Sequence, residues 1–216
     1  MKKKKYSLLE SQYFPNLEYF VLLTSQKNIL INNSSLYKKQ TYRNRCVILG
    51  PNGKINLSVP IITSKNVKIM KDMRIDYSEN WINIHSRSLQ SVYGKAPFFL
   101  YYQDEIINCL NIKHKFLIDL NHDLLTLFSD FLDFENDFRY IDEKQSKSYL
   151  KDDYSDIVDP KISYKVRNIY FPITYKHVFG KEFVPNLSIM DLLFSEGPNS
   201  SEIINKSRII ENNNPI

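Results

Sequence analysis

The chain has 216 residues, 43% of them hydrophobic and 25% charged, a balance that suits a folded globular protein able to bury a core without covalent staples. The formal net charge is +5, but Lys2, Lys3, Lys4 and Lys5 supply most of it, so the body is nearly neutral and nucleic acid is not an expected partner. Two cysteines without C-x-x-C spacing (Cys46 and Cys109), and no apolar run of about eighteen residues, argue against a disulfide framework, a cysteine zinc cluster and a transmembrane helix. A cytoplasmic protein with reduced, buried thiols is expected.

Residues 6–10 read as a first strand. Pro15 fixes its own φ and restricts Phe14, so 11–16 reads as a loop. Leu17, Phe20, Val21 and Thr24 share one helical face and predict a helix over 17–25. A second strand at 28–32 completes a β-loop-α-β opening of the kind that builds a parallel sheet. Arg45 to Leu49, the turn Gly50-Pro51-Asn52-Gly53, and the alternation of Ile55, Leu57 and Val59 predict a hairpin. Val67 to Ile75 reads as another strand.

From Asn80 the pattern turns helical, with Trp81, His85, Leu89 and Tyr93 on one face. Further helices are expected over 99–110 and about 115–132, the latter with Phe116, Leu120, Leu124, Leu127, Phe128 and Phe131 as its buried stripe. Residues 133–165 are polar and charged, and read as a long, poorly ordered connection. Ser188 and Asp191 have the spacing of a capping box, and Gly197-Pro198 should end the helix they start. Asn199 and Glu202 could open a last short helix. The fold class is therefore α/β. A mixed sheet from the N-terminal half is covered by helices from the middle and end of the chain. A single domain over 6–204 is expected, with frayed tails at 1–5 and 205–216.

Arg43 and Arg45 lead the candidate site residues. On a strand, positions i and i+2 face the same way, and two guanidiniums can clamp a diphosphate or carboxylate. Tyr37, Lys38 and Lys39 precede them and could add a hydroxyl and charge. His85 is the candidate general base, since a neutral imidazole can take a proton near pH 7. Gln12 lies in a strand-to-helix loop, a common ligand position in α/β sheets. Asn44, Trp81 and Tyr93 complete the candidate substrate-binding set, the aromatic rings being able to stack a sugar or base. No metal site is expected, because the histidines lack H-x-x-x-H or Cys/His spacing. No phosphate-loop or dinucleotide fingerprint occurs, and the sequence leaves the cofactor unknown.

The stretches Gln12-Tyr13-Phe14-Pro15 and Glu18-Tyr19-Phe20 resemble the opening signature of the WbqC-like family. So do Tyr42 to Ile48, Gly50-Pro51-Asn52-Gly53 and Leu57-Ser58-Val59-Pro60. Trp81, His85, Tyr93, Ala96-Pro97-Phe98-Phe99 and Tyr101-Tyr102 continue the likeness, which resumes at Phe183 to Ser188 and Asp191-Leu192-Leu193. The family has no established catalytic residues to carry over. Its association with surface-polysaccharide genes, including O-antigen, implies a role in glycan assembly. Together with the basic strand, that suggests a transferase acting on a nucleotide-activated sugar or similar phosphorylated precursor. The rival is a non-catalytic binding or scaffold protein of glycan or cell-envelope assembly, with a protein partner.

Overall fold

The computed structural model describes residues 5–63, 69–134, 138–141 and 150–209. The chain opens with strand β1 (Tyr6–Glu10), helix α1 (Leu17–Ser25) and strand β2 (Ile29–Asn32). β1 and β2 pair in parallel, with Leu8 opposite Leu30 and Glu10 opposite Asn32. Nearly every residue of these two strands is buried, as expected of central strands covered on both faces. α1 starts at Asn16, whose side chain accepts from the Tyr19 amide at 2.9 Å. Its residues Leu17 to Leu23 are all buried, so α1 is a helix packed on every side rather than on one face. Phe20 meets Phe128 edge to face, which locks α1 against the helical layer.

The hairpin is formed by β3 (Arg45–Gly50) and β4 (Gly53–Ser58), closed by Gly50 opposite Gly53. Gly53 takes φ +111°, open to glycine at no steric cost. Two short strands, β5 (Ile61–Ile62) and β6 (Arg74–Ile75), form a separate antiparallel ladder. The strand expected over 67–75 is thus mostly something else. Residues 67 and 68 lie outside the described residues, Ile69 makes an isolated bridge to Leu36, Met70–Asp72 is a 3-10 turn, and only Arg74–Ile75 forms a strand. The amides of Met70 and Lys71 bond the carbonyls of Ser35 and Asn33, which folds this segment onto the loop after β2.

Helices α2 (Trp81–Tyr93), α3 (Phe99–Asn111) and α4 (Leu117–Phe131) follow. Next come strands β7 (Phe138–Ile141) and β8 (Leu150–Asp153), then helices α5 (Ile189–Glu196) and α6 (Ser200–Lys206). Gly197, between α5 and α6, has φ +55°, and a Cβ there would sit 2.5 Å from the Phe98 ring. Both backbone and packing therefore require glycine.

The α/β class and the β-loop-α-β opening hold. The source of the sheet differs from the expectation. All four strands of the main sheet pair in parallel, in the order β7-β2-β1-β8, and the two outer ones come from 138–153. That region reads as a poorly ordered connection because its strands, FRYI and LKDD, are short, lack an apolar alternation and are at most half-buried. Their pairing partners, β2 and β1, lie more than a hundred residues earlier. The Arg208 guanidinium, in a tail expected to fray, donates to the Thr24 carbonyl at 2.7 Å. Lys2 to Lys4 and residues 210–216 lie outside the described residues.

Candidate functional site at the switch point of the parallel sheet

The strand order fixes where a site can form. From β1 the chain crosses through α1 to β2. β7 then adds beyond β2, and the return places β8 on the other side of β1. The strand order therefore reverses between β1 and β8. In open parallel sheets the crevice beyond the carboxyl ends of two such strands is where ligands bind. Here that position is taken by Glu10 at the end of β1 with Ser11 and Gln12 after it, and by Tyr154, Ser155 and Asp156 after β8.

A buried ionic cluster fills this point. Glu10 is 3% exposed and Arg43 2%. Arg43 contacts Glu10 Oε2 at 3.4 Å and also pairs with Asp156. Glu10 Oε2 accepts the Asp156 backbone amide at 2.6 Å, and Oε1 accepts from Gln12 Nε2 at 2.8 Å. Lys38 reaches Asp156 Oδ2 at 2.6 Å, where both side chains are partly open to solvent. Asn121 of α4 donates to the Arg43 carbonyl at 2.9 Å and lies 3.0 Å from Ser11 Oγ, so the helical layer fixes the cluster from behind.

The electrostatics separate the two carboxylates. Burial pushes Glu10 up to about 7, against the opposing pull of Arg43, Gln12 and the Asp156 amide. Burial also works against the ionised Asp156, but Lys38 and Arg43 outweigh it and hold that carboxyl below its usual range. Two adjacent acids with opposite shifts form the pattern expected where one exchanges protons near neutrality and the other stays charged.

Backbone and polar groups at the crevice carry strain and spare capacity. Phe14 and Asp156, one on each arm, both adopt left-handed backbone, with φ +41° and +65°. Phe14 is held there by Ser188, whose hydroxyl donates to its carbonyl at 3.0 Å. Gln12 Oε1, Arg43 Nε and Ser155 Oγ are buried without a hydrogen-bond partner. Buried polar atoms are nearly always satisfied, so these three leave unspent hydrogen-bonding capacity beside the cluster.

A model of the WbqC-like protein family matches residues 10–148 and 135–203. The chain belongs to the WbqC-like protein family. A relative from Mycobacterium tuberculosis (strain ATCC 25618 / H37Rv), the "Uncharacterized protein Rv1507c", is 24% identical over 233 residues, covering 95% of this chain and 99% of that one. No solved structure gives a significant match. The likeness thus spans the whole WbqC-like core, switch point included, and brings no assigned activity with it.

Within this WbqC-like fold the residues singled out from sequence fall into two groups. Gln12 and Arg43 are in the cluster, with Lys38. Tyr37 donates to Asn44 Oδ1 at 3.1 Å, and Asn44 Nδ2 donates to the Val59 carbonyl at 2.8 Å, which braces the same loop. Arg45, at the start of β3, is half-buried, and Lys39 is exposed nearby in sequence. Arg43 lies in a turn before β3, so the two arginines do not share a strand face as expected. The reason is that Arg43 turns inward to the carboxylates, while Arg45 begins the hairpin ladder opposite Ser58.

His85, Trp81 and Tyr93 lie on the buried face of α2. His85 Nδ1 is 2.9 Å from the Tyr13 hydroxyl, its ring meets Trp81 at 5.1 Å, and the Ser58 backbone supplies a further hydrogen bond. Burial lowers this imidazole to about 4. Its hydrogen bonds are committed inside the core, so a base role would need the ring to be released. Tyr93 donates to Asp191 Oδ2 at 2.8 Å.

Sequence reasoning missed Glu10 and Asp156. Glu10 ending an apolar strand was the one available signal, and Asp156 had none. Asp191 does not close a capping box. It instead receives Tyr93, Tyr175 and His177. Among the described residues no group of three or more His, Cys, Asp or Glu side chains could hold a metal, and no helix is long and apolar enough to cross a membrane.

Proposed function

We propose that this WbqC-like protein is an enzyme that binds a phosphorylated precursor, of the nucleotide-activated sugar kind, at the switch point of its parallel sheet and transfers a group from it. The observation that carries this reading is the cluster at the carboxyl ends of β1 and β8, with Glu10 pushed to about 7 beside Arg43. Lys38, Lys39 and Arg45 would meet the phosphates from the solvent side. Arg43 would hold Asp156 and orient Glu10. Once substrate displaces one of its present hydrogen bonds, Glu10 is better matched than His85 to take the proton from the acceptor group, since a base is most effective when its pKa lies near the working pH. Gln12, Tyr37 and Asn44 would shape the wall. The link to surface glycan assembly rests on the family association alone.

The test is a thermal-shift panel of nucleoside diphosphates and nucleotide sugars on wild type and Lys38→Glu. A ligand at about 100 times its Kd adds roughly 2.7 kcal/mol, or roughly 5–10 °C for a domain of this size. A shift with one nucleotide class, lost in Lys38→Glu, is expected. No shift across the panel overturns the reading and favours the non-catalytic alternative. That alternative has its own support in Leu100 and Tyr101, adjacent on α3 and 71% and 75% exposed.

A further inference from the structure

A large cleft lies away from the switch point, between the end of α2, the segment 176–179 and the end of α5, and neither Arg43 nor Arg45 lines it. Its volume is about 940 Å³, within the range of small-molecule sites. One wall is rigid. His177 is buried, its Nδ1 lies 2.6 Å from Asp191 Oδ1, and its Nε2 accepts the Val184 amide at 3.0 Å. Nδ1 therefore carries the proton and donates to Asp191. Asp191 also receives the hydroxyls of Tyr175 at 3.1 Å and Tyr93 at 2.8 Å. Ser195 follows Asp191 by one helical turn on the same face of α5. It is 9% exposed, lines the cleft, and its Oγ has no hydrogen-bond partner.

Asp191, His177 and Ser195 have the composition of a nucleophile triad. The Val184 amide already occupies His177 Nε2, so no path takes a proton from Ser195. The arrangement is built to bind, with a fixed wall and one unspent hydroxyl. Lys95 and Lys176 stand exposed at the rim, without an ion-pair partner among the described residues, and face a single carboxylate on the cleft, Glu196. Phe179 and Val178 supply an apolar surface, and Gln90 an amide.

We propose that this cleft is a second small-molecule site, taking a compact ligand that carries one anionic group and several hydroxyls, as a sugar phosphate does. Lys95 and Lys176 engage the anion. Ser195, Gln90 and Glu196 take hydroxyls, and the ring face lies against Phe179. The site does not depend on the switch-point reading, because the two share no residue.

Calorimetric titration of the full chain with glucose 6-phosphate, glucose and inorganic phosphate tests it. The expected result is binding of the sugar phosphate more tightly than of either fragment. Lys95→Glu with Lys176→Glu should weaken it about tenfold or more, and Ser195→Ala about fivefold, the scale of a lost hydrogen bond. Lys38→Glu should leave it unchanged. Absence of binding at about 10 mM, a ligand-saturating level for a weak metabolite site, overturns the proposal. So does binding that survives both cleft variants, equal binding of either fragment, or loss in Lys38→Glu, which would move the ligand to the switch point.

Discussion

Replacing Glu10 with glutamine should change how stability depends on pH. Glu10 is buried and its folded pKa is raised from 4.5 to about 7. A carboxyl with a raised folded pKa stabilises the fold fully below its unfolded value. That contribution is lost as pH rises through the folded value, because between the two the folded state holds a proton that the unfolded chain has released. The window is pH 4.5–7, and a gap of that width corresponds to about 3 kcal/mol. This is a large share of a typical stability of roughly 5–15 kcal/mol.

Wild type alone will not display the slope, because His85 opposes it. The His85 folded pKa is lowered from 6.5 to about 4 by burial, so its contribution is present at neutral pH and lost as pH falls from 6.5 towards 4. Between about pH 4.5 and 6.5 the two nearly cancel, since each changes by the same roughly 1.4 kcal/mol per pH unit with opposite sign. The difference between Glu10→Gln and wild type isolates the glutamate. Urea melts followed by fluorescence of the single buried Trp81 should show the variant gaining about 3 kcal/mol on wild type between pH 4.5 and 7.5, whatever the constant offset. A difference that stays flat across that range would refute the burial argument for Glu10, and with it the proton-transfer role.

Arg43→Met should cost about 3–5 kcal/mol, because it leaves Glu10 and Asp156 without their guanidinium. Lys38→Ala, which removes the solvent-exposed arm of the same cluster, should cost less than about 1 kcal/mol. Chemical denaturation distinguishes the two, and equal losses would contradict the burial difference between them. Asp191→Asn should cost about 2–4 kcal/mol, since two tyrosine hydroxyls and His177 all converge on this one buried side chain. A near-neutral change in melting would mean that the convergence is not stabilising.

Much of this fold was legible because its signals are local. The 6–10 strand, the Asn16-capped helix, the Pro51-Asn52-Gly53 turn and the α2 stripe each lie within one window of sequence. Their periodicity or turn chemistry needs no distant partner. The outer strands β7 and β8 had no such signal. They are strands because β2 and β1 offer free edges, and a short half-buried edge strand carries little pattern of its own. The site was half legible for the same reason. Arg43 and Gln12 stood out by residue type and loop position. Asp156 became their partner only when β8 returned beside β1 and brought two segments more than a hundred residues apart within hydrogen-bond reach. The His85 stripe was read correctly as a helix face, but whether that face met solvent, ligand or core was a tertiary matter. The sequence alone determined the local elements and the WbqC-like kinship. The strand order decided which charged residues meet at the carboxyl edge of the sheet, because parallel pairing is set by contacts between segments that local periodicity cannot encode.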